Sequence, residues 1–187
     1  MNSHTTLPFQ TNTHQSVGIF AGLPLITHKL QGFDKTLWLA AISYVLARVN
    51  GEAEIKLPVF DRSEQYLFSN SILQDEKIDV FILNTEQQIA RRGVLDIGPA
   101  MYGDVAVAFN LADENIVPAD VTFCISEKCD KSYLRFQALH YKAQDMANLA
   151  TWVTNIYQAL QLGRKHKLGE LTLNYRQPSC TMNLING

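Results

Sequence analysis

The stretch DKTLWLAAISYVLARVNG (Asp34 to Gly51) restricts the possible folds more than any other. Leu39, Ile42, Leu46 and Val49 recur at helical spacing, and Trp38, Ala41 and Val45 widen the stripe until it runs almost all round. Such a helix has no face to offer water, so the rest of the chain must bury it. Its ends are marked as well. The Asp34 carboxylate can accept from the open amides of the first turn. Phe33 and Trp38 have the spacing of a hydrophobic staple. Asn50-Gly51 closes the helix, with Gly51 able to take a left-handed conformation.

Strand patterns lie on both sides. VGIFAGLPLITHKLQG (17–32) is apolar but broken by Gly22 and Pro24, and holds one or two short strands. EIKLPVFDR (54–62) reads as a strand, with Pro58 expected on an edge or at a bulge because it lacks an amide donor. KIDVFIL (77–83) reads as another strand. It leads into a short helix that Asn84 and Gln87 would open as a capping box and Gly93 would close. VAVAFN (105–110) is a further strand. In VTFCISEKCDKSYLRFQALHY, Val121, Phe123 and Ile125 alternate with polar or small residues, as do Leu134, Phe136 and Ala138. Two period-2 runs across a charged link predict a hairpin. Met146, Leu149, Val153, Ile156 and Leu160 then predict a long helix, with Asp145 able to cap it and Gly163 to end it.

The expected fold class is α+β: a mixed β-sheet packed against two long helices and one short helix. At 187 residues and 47% hydrophobic, the chain is long and apolar enough for one cored domain. The polar segment 1–16 reads as a flexible tail, 17–175 as the folded lobe and 176–187 as an exit linker. A formal charge of -2 argues against nucleic-acid binding. No segment reads as a membrane span, and the start lacks the pattern of a secretory signal. Three cysteines, Cys124, Cys129 and Cys180, fit thiols of a reducing cytoplasm, which is the expected location.

The order of these pieces resembles the C-terminal half of a condensation domain of nonribosomal peptide synthetases. TLWLAAISYVLARVNGEAEIKLPVFDR is similar to that family's buried helix, its "tG" turn and its "GxPvxxR" strand. GDVAVAFN falls where the next sheet strand lies. PADVTFCISEKCDKSYLRFQALHY resembles the "fDLtlslsE" hairpin. The last helix and LGELTLNY resemble the exit toward an adenylation domain. The resemblance runs from about Phe33 to Tyr175 and implies a single chloramphenicol-acetyltransferase-like lobe. It also implies an HHxxxDG motif in a companion lobe, and this chain has no adjacent histidine pair. Lys56-Leu57-Pro58 replaces the family's usual glycine, and the chain between Asp61 and Val105 is short for the family.

No catalytic, cofactor-binding or metal-binding residue is assigned. His28 and His140 stand in expected strands, and neither has a sequence neighbour that would orient it as a general base. The cysteines lack zinc spacing. Trp38 and Trp152 read as core or interface aromatics. Asp61-Arg62 reads as a structural ion pair or turn, although the family's arginine lies close by. Arg91-Arg92 reads as ordinary charge at a helix end, and Asp113, Glu114 and Asp120 as solvated loop carboxylates. Arg62 and the basic run Arg164, Lys165, His166 and Lys167 are the candidate partner contacts. The resemblance implies a noncatalytic platform or docking module for an adenylation domain or carrier protein. The alternative is one half of a split acyltransferase completed by a complementary lobe. No cofactor is expected, since a phosphopantetheine arm would belong to the carrier protein. A lone lobe also predicts an exposed apolar patch and a homodimer or other partner.

Overall fold

A computed structural model describes residues 7–8, 19–25, 33–62, 64–91, 104–111, 117–127, 131–162 and 166–173. The elements are β1 (Phe20–Pro24), α1 (Lys35–Asn50), β2 (Glu54–Asp61), β3 (Glu64–Ser71), α2 (Ile78–Ala90), β4 (Val105–Phe109), β5 (Val121–Ile125), β6 (Tyr133–Gln137) and α3 (Ala143–Leu162), followed by a single 3-10 turn at Leu168–Glu170. One mixed sheet runs β1-β6-β5-β4-β2-β3. β2, β4 and β5 are parallel, and the other neighbours are antiparallel.

α1 is as buried as its composition requires: every residue from Leu37 to Ala47 is out of solvent. Asp34 accepts from the Leu37 amide at 3.2 Å, and Gly51 is left-handed with φ 71°. α3 packs beside α1, and the Trp38 and Tyr157 ring centroids stand 4.4 Å apart. The main core lies between these helices and the sheet face carrying Leu57, Val107, Phe123 and Leu134. The opposite sheet face carries a smaller cluster of Phe60, Ala106, Ala108, Val117 and Ala119. That cluster buries the second face of β4, which is out of solvent along its whole length.

Several expectations fail. KIDVFIL is not a strand. Ile78, Phe81 and Thr85 are buried while Asp79, Val80 and Leu83 are exposed, which is a helical period. Asn84 therefore lies inside α2 and opens no helix. Its amide donates to Glu76 Oε1 at 2.7 Å. The extra strand is β3, which hides behind its polar content. Tyr66, Phe68 and Asn70 point inward, and the buried Asn70 amide is satisfied by Thr85 Oγ1 at 3.0 Å. Among the described residues the helices are the long α1 and α3 and the shorter, 13-residue α2, in line with the expected fold class.

Pro58 lies on β2, which is interior overall but at this residue pairs with β3 alone, so its missing donor falls on a locally open side, as expected of an edge position. Its register partner in β3 is Leu67, and the ladder to β4 begins one residue later, at Val59. Phe33 meets the Phe109 ring edge-on and Trp38 meets Tyr157. Asp145 sits within the first turn of α3, not before it. Leu7, inside the expected tail, is buried in the core. After α3, still within the expected lobe, the chain is clipped back onto the fold. The Leu168 and Gly169 amides donate to the carbonyls of Glu76 (2.9 Å) and Gln74 (2.8 Å). A Cβ on Gly169 would stand 3.0 Å from the Gln74 carbonyl, so this close approach favours glycine. His4, His14, His28, Arg92, Gly93, Asp113, Glu114, Cys129, Gly163, Arg164, Lys165, Cys180 and the segment 176–187 lie outside the described residues.

Candidate functional site

The parallel strands β2, β4 and β5 finish at one rim of the sheet. Arg62 and Asn110, the residues that follow β2 and β4, are left-handed, with φ 54° and 52°. For an arginine that conformation costs about 1–2 kcal/mol, and somewhat less for asparagine. The surroundings fix both. The Arg62 amide donates to the Phe109 carbonyl (3.3 Å) and the Asn110 amide to the Ile125 carbonyl (2.9 Å). Each left-handed residue carries its ladder one step further and then turns the chain.

Glu127 joins the two turns. Its Oε1 accepts from Arg62 Nη2 at 2.9 Å and from Asn110 Nδ2 at 3.2 Å, and its amide donates to Asn110 Oδ1 at 2.8 Å. On the helix side, the ammonium of Lys35 pairs with the Asp61 carboxylate and lies 5.4 Å from the Phe109 ring centroid. Asp61 and Arg62 therefore do not pair with each other, and each finds its partner on another element.

Two adjoining cavities open here and share Asn110. One, of 360 Å³, is lined by Phe33, Lys35, Asp61, Arg62, Glu64, Asn110 and Glu127. The other, of 240 Å³, is lined by Ala108, Leu111, Cys124, Ser126, Lys131 and Tyr133 among others. Cations and carboxylates alternate round the rim, and backbone strain is held in place beneath them. Such a surface suits recognition of a polar partner, and strained residues gather at sites of that kind. Cys124 lies on the wall of the smaller cavity, where its buried thiol faces the Thr122 carbonyl at 3.8 Å.

The structure separates the expected partner contacts. Arg62 stands at the C-terminal end of β2. His166 and Lys167 lie beside residues 74–78, near the other end, with Lys167 bridging to Lys77 and the Ile78 amide donating to the His166 carbonyl. An eight-residue strand places these ends roughly 25 Å apart. His166 pairs with Glu170 at 2.9 Å, and Lys167 with the exposed Asp75 at 3.4 Å. His166 and Lys167 thus each stand beside a carboxylate.

His140 does have an orienting partner. Its Nδ1 lies 2.8 Å from Asp120 Oδ2, and the imidazole is largely buried. Asp120 directly precedes β5 and His140 closes the turn after β6, so the hairpin brings residues 20 apart in sequence together. The hairpin register was the signal that could have found this pair. Tyr141 is buried beside them, and its phenol is pushed well above its usual range, first by desolvation and then by Asp104 and Asp120. Trp38 is a core residue, and Trp152 packs partly buried against the same core.

No protein-family profile matches the sequence, and no curated protein does. Solved structures do match in fold. The X-domain bound to OxyB from teicoplanin biosynthesis aligns with a TM-score of 0.61 at 13% identity, covering 94% of this chain and 53% of that one. A four-domain nonribosomal peptide synthetase bound to AMP and glycine aligns with a TM-score of 0.68 at 10% identity, covering 94% of this chain and 19% of that one. The starter condensation domain of rhizomide synthetase gives 0.61 at 11% identity, over 92% of this chain and 52% of its own. The chain thus spans about half the length of the single condensation-type domains it matches. Its fold is that of one chloramphenicol-acetyltransferase-like lobe of a condensation domain.

Proposed function

We propose that the chain is a condensation-like module of nonribosomal peptide synthesis that acts by holding a neighbouring adenylation or carrier domain, without forming bonds itself. The fold match, which extends over nearly the whole chain, carries this reading. The absence of an adjacent histidine pair from the sequence supports the noncatalytic part. The rim built on Arg62, Asn110 and Glu127 is the first candidate contact surface, and the His166–Lys167 segment is the second.

The test is co-elution of the purified chain with adenylation and carrier domains in size-exclusion chromatography. A stable complex that Arg62→Glu weakens supports the platform. A chain that ignores both domains overturns it. The second reading, half of a split acyltransferase, is favoured by the coverage of about half of each condensation domain matched. It requires that the chain bind a separate protein bearing HHxxxDG and restore amide formation.

A further inference from the structure

The sheet ends in two edge strands, β1 and β3, and the chain treats them differently. An edge exposes unpaired amides and carbonyls, and proteins that stay apart blunt it with proline, lysine or a bulge. On β1 the Ala138 amide donates to the Ile19 carbonyl and the Leu25 amide to the Ser132 carbonyl. Backbone groups alternate along a strand, so Phe20, Gly22 and Pro24 turn theirs outward. Pro24 has no amide hydrogen, which removes a donor from that edge.

β3 carries no such guard. The Ile72 amide donates to the Ala53 carbonyl at 2.8 Å, which fixes the phase of the ladder with β2. Asn70, Phe68 and Tyr66 then face β2, and Ser71, Ser69, Leu67 and Gln65 turn their amides and carbonyls outward. Pro58 stands opposite Leu67, a position that needs no amide on the β2 side, so it agrees with the same phase. The edge contains no proline and no lysine, and its register with β2 is unbroken over eight residues. Among the described residues, none outside β2 hydrogen-bonds to the backbone of Gln65, Leu67 or Ser69.

We propose that β3 pairs antiparallel with β3 of a second copy of this chain, Leu67 facing Leu67 across a two-fold axis, so that the two sheets become one. The charge pattern argues for a second copy. In this register Gln65 opposes Ser69, Tyr66 opposes Phe68, and Glu64, the strand's one charge, opposes Asn70. No like charges meet, and side chains facing each other lie on the same face, as a two-fold normal to the sheet requires. Each outward pair supplies two backbone hydrogen bonds. The proposal is independent of the synthetase reading.

Light scattering over a concentration series should give twice the 21.1 kDa chain mass. Leu67→Lys would set two ammonium groups face to face, and Ser69→Pro would remove an outward donor. Both should give monomers with unchanged circular dichroism. Leu67→Cys should cross-link to itself on oxidation well above the level of the natural cysteines, because facing Cα atoms in such a pair lie about 5.5 Å apart. Ser71→Cys should not. A wild-type chain that is monomeric at every concentration overturns the proposal. So does a dimer that Leu67→Lys and Ser69→Pro both leave intact, or one in which Leu67→Cys cross-links no more than Ser71→Cys.

Discussion

Single residues show where the chain spends strain and burial. Asn110 holds a left-handed turn and two bonds to Glu127. Asn110→Ala should destabilise by about 1–2 kcal/mol, from the turn conformation and the lost bonds together. Asn110→Gly should cost less, because glycine keeps the turn; urea unfolding of the two variants measures the difference. The buried phenols make a second case. Burial raises both Tyr44 and Tyr141, and Asp104 and Asp120 raise Tyr141 further. Below pH ~10, the unfolded value, both states keep the proton and stability is full. Above it the unfolded chain ionises first, so stability falls as pH rises. Melting temperature should therefore drop above about pH 10. Tyr141→Phe should flatten that drop. Tyr44→Phe should do so too, and should also free the segment its hydroxyl ties at the Leu168 and Leu171 carbonyls.

At the level of elements, α1 organises the molecule. Trp38→Ala would leave a cavity against Tyr157 and should cost about 3–5 kcal/mol. Asp34→Ala removes one cap bond and should cost about 1 kcal/mol. Chemical denaturation of both variants checks the ratio. α2 and β3 are both hard to recognise from periodicity, for related reasons. α2 exposes Val80 and Leu83 on its outer side, which blurs its apolar stripe. β3 buries Asn70, whose polarity conceals an inward position until Thr85 is seen opposite it. Both readings needed the contact between the two elements, which sequence periodicity does not contain.

At the level of the whole molecule, the hairpin and the parallel strands assemble two polar groupings at opposite ends of the sheet. One is the rim of Arg62, Asn110 and Glu127. The other is the pair of His140 and Asp120. If the chain acts by docking, His140→Ala should lower stability by about 1–3 kcal/mol yet leave the binding of adenylation or carrier domains unchanged. Loss of binding or of amide formation, with circular dichroism preserved, would contradict the platform reading. Ile19, Phe20 and Leu139 are exposed apolar residues near the Ala138–Ile19 bond, and Val80 and Leu83 are exposed on α2.

The sequence alone determined the buried helix with its Asp34 and Gly51 ends, the β5–β6 hairpin, the last helix and the α+β class. Each of these rests on local periodicity or on the chemistry of a cap. It also carried enough ordered pattern to resemble a condensation lobe. Only the tertiary structure decided that residues 78–90 are helical and 64–71 a strand, and that Asp120 orients His140. It likewise placed Arg62 and Lys167 apart and joined Arg62 to Asn110 through Glu127. These outcomes depend on which strands become neighbours, and strand order is fixed by the burial of one core between layers, a property of the whole chain and not of any segment.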